Sequence, residues 1–257
     1  MPLQPRQTDV AASLAAWLPA VAGARDYRTA WASFEDAVAY VARAVGARRI
    51  VEIGGGRSPL LRPEVLEGLG ARCIVNDVSP DELRLAPAWV ETLPGDIADP
   101  RTVSAPELRG RADLVFSRMV FEHIADPAAA YAHARVLLRD GGVLLNFIPT
   151  LFCPPFVVNA CLPERLARVV LRAALRRSAE GAAPKFPAYY RWCTSTAATA
   201  RRIEGVGFRS VAIQPFFGHG YYDRIPVLRD LSRRASALCA RRRWNALSSY
   251  AYVVAVK

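Results

Sequence analysis

Histidine and methionine are scarce in this chain: three and two among 257 residues. Chemistry that needs a cluster of imidazoles is excluded, because His123, His133 and His219 stand far from any shared ligand spacing. The five cysteines, at 73, 153, 161, 193 and 239, are odd in number and show no paired metal spacing. Neither a zinc module nor a disulfide framework is expected, no metal is assigned, and a reducing cytoplasm is the expected compartment. An N-terminal charged leader followed by an apolar core is also missing, so no signal peptide is expected. The stretch from Gly141 to Pro163 carries no charge and approaches the length of a membrane span. Asn146, Pro149, Pro154, Pro155 and Asn159 break it, and its first third is needed as a strand. A hydrophobic loop at a surface fits it better than a spanning helix.

Acidic residues run short in one part only. Residues 1–150 hold 16 basic and 18 acidic side chains, whereas residues 151–257 hold 18 basic and 5 acidic. The formal net charge of +11 therefore sits in the second part. Such asymmetry has two readings: a polyanionic partner (anionic lipid, nucleic acid or a phosphorylated substrate), or arginine-rich faces that are merely solvated. Apolar residues make up 52% of the chain, enough for a substantial core and against bulk disorder.

The chain is organised around Val51-Glu52-Ile53-Gly54-Gly55-Gly56-Arg57-Ser58-Pro59. An apolar run that ends abruptly in glycines is how a buried parallel strand turns beneath a bound nucleotide, since glycine accepts positive φ and leaves no Cβ in a ligand's way. A dinucleotide fingerprint would need a third glycine where Pro59 stands, and a Walker loop would need Gly-Lys-Ser/Thr. A second apolar run, Cys73 to Asn76, ends in Asp77, 23 residues after Gly54 and well placed for a ribose hydroxyl pair. A third run, Trp89 to Leu93, leads into Gly95-Asp96-Ile97, and Ala112 to Ser117 is a fourth.

These four pieces, together with Phe121-Glu122-His123-Ile124, resemble the class I S-adenosylmethionine-dependent methyltransferases, in the branch that includes quinone- and sugar-tailoring enzymes. The resemblance covers about residues 45–150. It implies an α/β fold with a Rossmann-like sheet of seven strands, the last antiparallel and inserted between its neighbours, and helical insertions on the acceptor side. It also implies S-adenosylmethionine as cofactor. Gly54 and Gly56 would let the backbone approach it, and Glu52 would sit beneath the loop near the methionine amino end. Asp77 and Val78 would meet the ribose side, Asp96 and Ile97 the adenine, and Ser117 to Met119 the methionine portion.

Along the chain, residues 8–22 and 26–45 read as helices. Ser33 and Asp36 suggest a capping box, and Phe34, Val38, Val41 and Val45 recur at helical spacing. Trp17, Tyr27 and Trp31 are either core or pocket lining. Strand one is expected at 49–53, and the prolines at 59 and 63 predict an irregular turn before a helix over 63–69. Ser79-Pro80-Asp81-Glu82 and Asp126-Pro127 are helix starts; Gly141-Gly142 is the expected end of the second of these helices. Strands follow at 143–148, 206–215 and 249–256. The chain thus reads as one domain over 1–257: a helical cover (1–47), a cofactor core (48–150) and acceptor-side insertions (151–200 and 216–247).

A hydroxyl acceptor benefits from a base. His123 and His219 are the candidates, each also readable as a structural histidine, and His133 reads as a surface residue. Tyr189, Tyr190 and Trp192, with Tyr221 and Tyr222, are expected to line one acceptor pocket, or else to pack the insertions together. Segments 162–177 and 226–243 are basic and amphipathic, which leaves two readings: docking on an anionic membrane that carries a lipid-linked acceptor, or stripes packed on the sheet. The function expected is methyl transfer to a small-molecule, sugar or lipid-linked acceptor at oxygen, by a cytoplasmic protein with no specific nucleic-acid partner. The alternatives are an RNA-directed methyltransferase or basic nucleic-acid binder and, less favoured, an NAD-dependent oxidoreductase. The acceptor itself and the oligomeric state are left open by the residues.

Overall fold

The structure, a computed structural model, describes residues 25–153, 187–223 and 226–257. The expected helices at 8–22 and 162–177, and Trp17, lie outside these residues.

Seven strands form one sheet: β1 (Arg49–Ile53), β2 (Arg72–Asp77), β3 (Glu91–Pro94), β4 (Ala112–Arg118), β5 (Leu138–Pro149), β6 (Ser210–Phe216) and β7 (Tyr250–Val256). Their order is β3-β2-β1-β4-β5-β7-β6. Strands β1 to β5 pair in parallel, and β7 runs antiparallel between β5 and β6. The terminal strand is thus inserted as expected. β1, β4, β5 and β7 are buried almost throughout because helices cover both faces, which is why they read as continuous apolar runs instead of alternating ones.

The helices are α1 (Tyr27–Ala32), α2 (Phe34–Ala44), α3 (Pro63–Leu69), α4 (Pro80–Arg84), α5 (Pro127–Leu137), α6 (Ala197–Gly205) and α7 (Pro226–Arg242). Each expected capping proline opens its helix, with Ser79 accepting from the Glu82 amide and Asp126 from the Ala129 amide. Phe34, Val38 and Val41 are buried, and the Phe34 ring packs at 5.2 Å from those of both Phe147 and Tyr252. The Tyr252 hydroxyl donates to the Ala30 carbonyl, pinning α1 to the sheet.

Several boundaries differ from the expected ones. The helix expected at 26–45 is two, and Ser33 does not cap the second: its hydroxyl donates back to the Thr29 carbonyl at 2.6 Å. That local bond competes with capping. Helix α5 ends at Leu137, not at Gly141-Gly142, because Leu138 already pairs with Ala112; the glycines sit in an irregularity inside β5. β3 starts at Glu91 and β6 at Ser210, and Val206 instead closes α6. Asp113 accepts from the Arg48 and Arg49 amides and from Arg139 Nε, so this motif residue holds strand starts together. Among the described residues no helix is long and apolar enough to cross a membrane.

Candidate active site

Parallel strands β1 to β6 all end at one edge of the sheet. The chain leaves β1 toward β2 on one side and later returns to β4 on the other. The crevice between diverging connections at such a switch point is where α/β sheets bind ligands. Gly54 stands at that point. Its φ is +75°, and a Cβ there would run into Val120 Cγ2 and lie 3.0 Å from Val120 Cγ1. Gly56 has φ +49°, and a Cβ there would stand 3.2 Å from Asp77 Oδ2. Both positions therefore need glycine, and at the second the bare backbone comes close to the Asp77 carboxylate and to the Glu82 side chain, whose Cβ would be 3.3 Å from an added Cβ. Asp77 is oriented by its other oxygen, which accepts the Ser79 amide at 2.9 Å. Val78, next to it, is exposed.

Glu52 lies beneath the loop as expected, nearly wholly buried, with both oxygens on the Leu60 amide at 2.9 and 3.2 Å. Burial pushes its carboxyl up to about 7, against the Leu60 hydrogen bond and the charge of Arg118. Its visible task is to shape the turn from Gly54 to Leu60. Asp96 accepts the Ala98 amide at 2.8 Å in a tight turn, and Thr102 Oγ1 donates to the Asp96 carbonyl at 2.6 Å. Ile97 is buried, and its carbonyl accepts from His133 Nδ1 at 2.8 Å. His133, expected at the surface, is half-buried and clamps α5 onto the loop after β3. The two residues are 36 apart in sequence, and nothing local marks the pairing. Ser117 also departs from expectation. It is wholly buried, its hydroxyl donating to Asn146 Oδ1 at 2.9 Å, so its side chain does not line the crevice. Met119 follows with φ +58°.

Past β4 a 3-10 turn, Phe121–His123, carries the Glu-His pair. His123 Nδ1 lies 2.8 Å from the Pro187 carbonyl. A carbonyl only accepts, so Nδ1 carries the proton and the lone pair of the neutral ring is on Nε2. Nε2 is 3.7 Å from Glu122 Oε1. Glu122 is buried, its Oε2 has no hydrogen-bond partner among the described residues, and burial pushes its carboxyl up to about 8. The sequence pattern marks the Glu-His pair but assigns no role to Glu122. The Tyr189 and Tyr190 amides both donate to the Glu122 carbonyl, at 2.7 and 3.1 Å, and tie the second loop to the first.

His219 is elsewhere. It is buried at the end of β6, with Nε2 3.2 Å from Ser232 Oγ of α7 and Nδ1 unpartnered among the described residues. Burial lowers its pKa, partly opposed by Asp223. Tyr221 and Tyr222 pack against its ring at 5.8 and 4.8 Å. A cavity of about 450 Å³ opens beside it, under α7. Tyr189, Tyr190 and Trp192 line a different cavity, of about 710 Å³, between the start of α5 and α6. The two share no lining residue, and Tyr221 and Tyr222 line neither, so the five aromatics do not wall one of these cavities together. The loops that bear them follow β5 and β6, and β7 lies between those two strands. Neither cavity includes the glycine turn, in which Gly54 is exposed and Gly56 buried.

Residues 22–199 match a family model described as a methyltransferase domain. A ubiquinone biosynthesis O-methyltransferase of Cereibacter sphaeroides is 34% identical over 100 residues, which are 38% of this chain and 39% of that protein. The match thus spans well under half of either protein. Among solved structures, phosphoethanolamine N-methyltransferase 2 of Haemonchus contortus in complex with S-adenosyl-L-methionine superposes with a TM-score of 0.50 at 16% identity. That match covers 82% of this chain and 48% of the other. The CMeT domain of the citrinin polyketide synthase gives 0.51 at 14% identity, covering 86% and 52%.

Proposed function

Since the chain belongs to the class I S-adenosylmethionine-dependent methyltransferases, we propose that it methylates a hydroxyl oxygen of a small, largely apolar acceptor. One observation carries the reading: the glycine turn whose bare backbone faces the oriented carboxylate of Asp77 at the switch point of the sheet. When bound there, the cofactor supplies a methyl already activated by a positive sulfur. Asp77 would accept from the ribose hydroxyls, Val78 would offer an apolar face, and Asp96 with the Ile97 backbone would meet the adenine end.

The chain's remaining work is to bring a nucleophile into line and keep water out, and positioning alone supplies much of the rate in such displacements. His123 is the base that the geometry favours over His219. Its Nδ1–H is committed to Pro187, so the lone pair that would take the acceptor's proton is on Nε2. Glu122, with Oε1 3.7 Å from Nε2, would orient the ring that takes up this proton. The cavity of about 710 Å³, with its Tyr189, Tyr190 and Trp192 walls, would hold the acceptor. It adjoins the Glu122-His123 turn through the Tyr189 and Tyr190 amides. Oxygen as the acceptor atom is supported by the partial match to an O-methyltransferase.

The test uses the purified chain, methyl-labelled cofactor and a panel of hydroxylated and aminated aromatic and isoprenoid acceptors. Label should appear in ether products and not in amines or RNA. Label in nucleic acid, or no binding of the cofactor in calorimetry, refutes the reading.

A further inference from the structure

Helix α7 sits on the protein with its polar side in. Ser232 meets His219, and Ser232, Ser236 and Ala240 line the cavity beneath the helix. The apolar stripe read from the sequence faces the other way. Val227 is 78% exposed and Leu231 64%; Leu228 and Leu238 are exposed too, and no residue of this helix is buried. An ordinary surface helix turns such a stripe to the core. The patch continues past the helix end: Arg243 turns the chain with φ +55°, and Trp244 and Leu247 follow, 50% and 46% exposed.

Arginines border the stripe. On a helix of 3.6 residues per turn, Arg234 and Arg241 fall along one side of the Val227-Leu231-Leu238 line, and Arg242 falls among the leucines. The one acid of the helix, Asp230, is taken by Arg229 at 2.9 Å, and Arg233 faces Asp223 at 3.7 Å. A partner for this face must therefore offer apolar depth and negative charge together. A second copy of the same face would set arginines against arginines. Nucleic acid would meet the charge but leave the leucines in water.

The geometry points to α7 and the following Trp244-Leu247 turn as a docking surface for an anionic phospholipid bilayer. The stripe would lie in the acyl boundary and the arginines among the headgroups. The surface lies beyond the C-terminal end of β6, at the same edge of the sheet as the glycine turn, so a docked protein would present that edge to the bilayer. Resting on the methyltransfer reading, this assigns the acceptor to the class of membrane-dissolved lipids, which would reach the crevice without crossing water.

The experiment is co-sedimentation of the full chain with phosphatidylcholine vesicles, with and without about 30% phosphatidylglycerol, at physiological salt, alongside calorimetry of cofactor binding. Retention by the anionic vesicles alone is expected. Arg234→Gln with Arg241→Gln should lower partitioning about 30-fold, at roughly fivefold for each arginine. Leu231→Asp should lower it about tenfold or more. Cofactor affinity should be unchanged in both variants. Equal recovery with the two vesicle types, or retention that ignores Leu231→Asp, overturns the docking surface. So does a dimer in sedimentation velocity that Leu231→Asp dissolves, since the face would then be an interface between copies. Failure to bind the cofactor with vesicle binding intact would overturn the methyltransfer reading instead.

Discussion

Replacing Asp77 separates two jobs that its carboxylate performs. Oδ1 accepts the Ser79 amide at 2.9 Å and so holds the turn that starts α4. Oδ2 faces the bare backbone of Gly56. Asp77→Asn keeps an oxygen for Ser79 and replaces the other acceptor by a donor that two ribose hydroxyls cannot use as well. The fold should hold, with a melting temperature close to that of the unaltered protein. The loss of a hydrogen bond to a charged group is worth about 1.5 to 3 kcal/mol, or about 10- to 150-fold in affinity. Asp77→Ala should lose that affinity and, in addition, about 0.5 to 1.5 kcal/mol of stability from the orphaned Ser79 amide. Titration calorimetry with S-adenosylmethionine and S-adenosylhomocysteine, paired with thermal unfolding of each variant, reads the two effects apart. Unaltered affinity in the Asp77→Asn variant would refute the ribose assignment. A fall in affinity that merely follows the fall in stability across the two variants would reduce Asp77 to a turn residue.

Three further outcomes are expected. His123→Ala should cut turnover about 10²- to 10⁴-fold with cofactor affinity unchanged, whereas His219→Ala should leave turnover within a few-fold; parity between the two variants would mean catalysis by positioning alone. Glu122, held protonated by burial, takes up protons on folding between its ordinary value of 4.5 and about 8. Folding stability should therefore fall as pH rises through that window, and Glu122→Gln should flatten the fall in denaturant titrations at about pH 5, 6.5 and 8. Glu52 acts in the same direction but is present in both proteins, so a slope unchanged by the substitution would show that Glu122 is ionised throughout. Gly54→Ala should destabilise by about 1 to 3 kcal/mol through its positive φ and the Val120 side chain. Adding Val120→Ala should restore only the steric part, and full restoration would show that the backbone conformation costs nothing.

Much of this architecture was written locally. Strands β1, β2, β4 and β5 are buried on both faces, so they had to be short apolar runs, and they could be found as such. Ser79-Pro80 and Asp126-Pro127 start helices because a side-chain oxygen and a proline act within one turn of themselves. The glycine turn and Asp77 were legible because their spacing reflects a single βαβ crossover. What depends on partners distant in sequence, or on a choice between rival partners, was not legible. Ser33 chooses the Thr29 carbonyl over a cap, Ser117 gives its hydroxyl to Asn146 on the neighbouring strand, and His133 reaches the Ile97 carbonyl from α5. The two aromatic clusters do not share a cavity: Tyr189, Tyr190 and Trp192 line one, whereas Tyr221 and Tyr222 pack on His219. Above all, the pattern of α7 defined an apolar stripe but not its direction. A helical period says which side chains share a face; only the packing of Ser232 and Ser236 against the body decided that the leucines point outward.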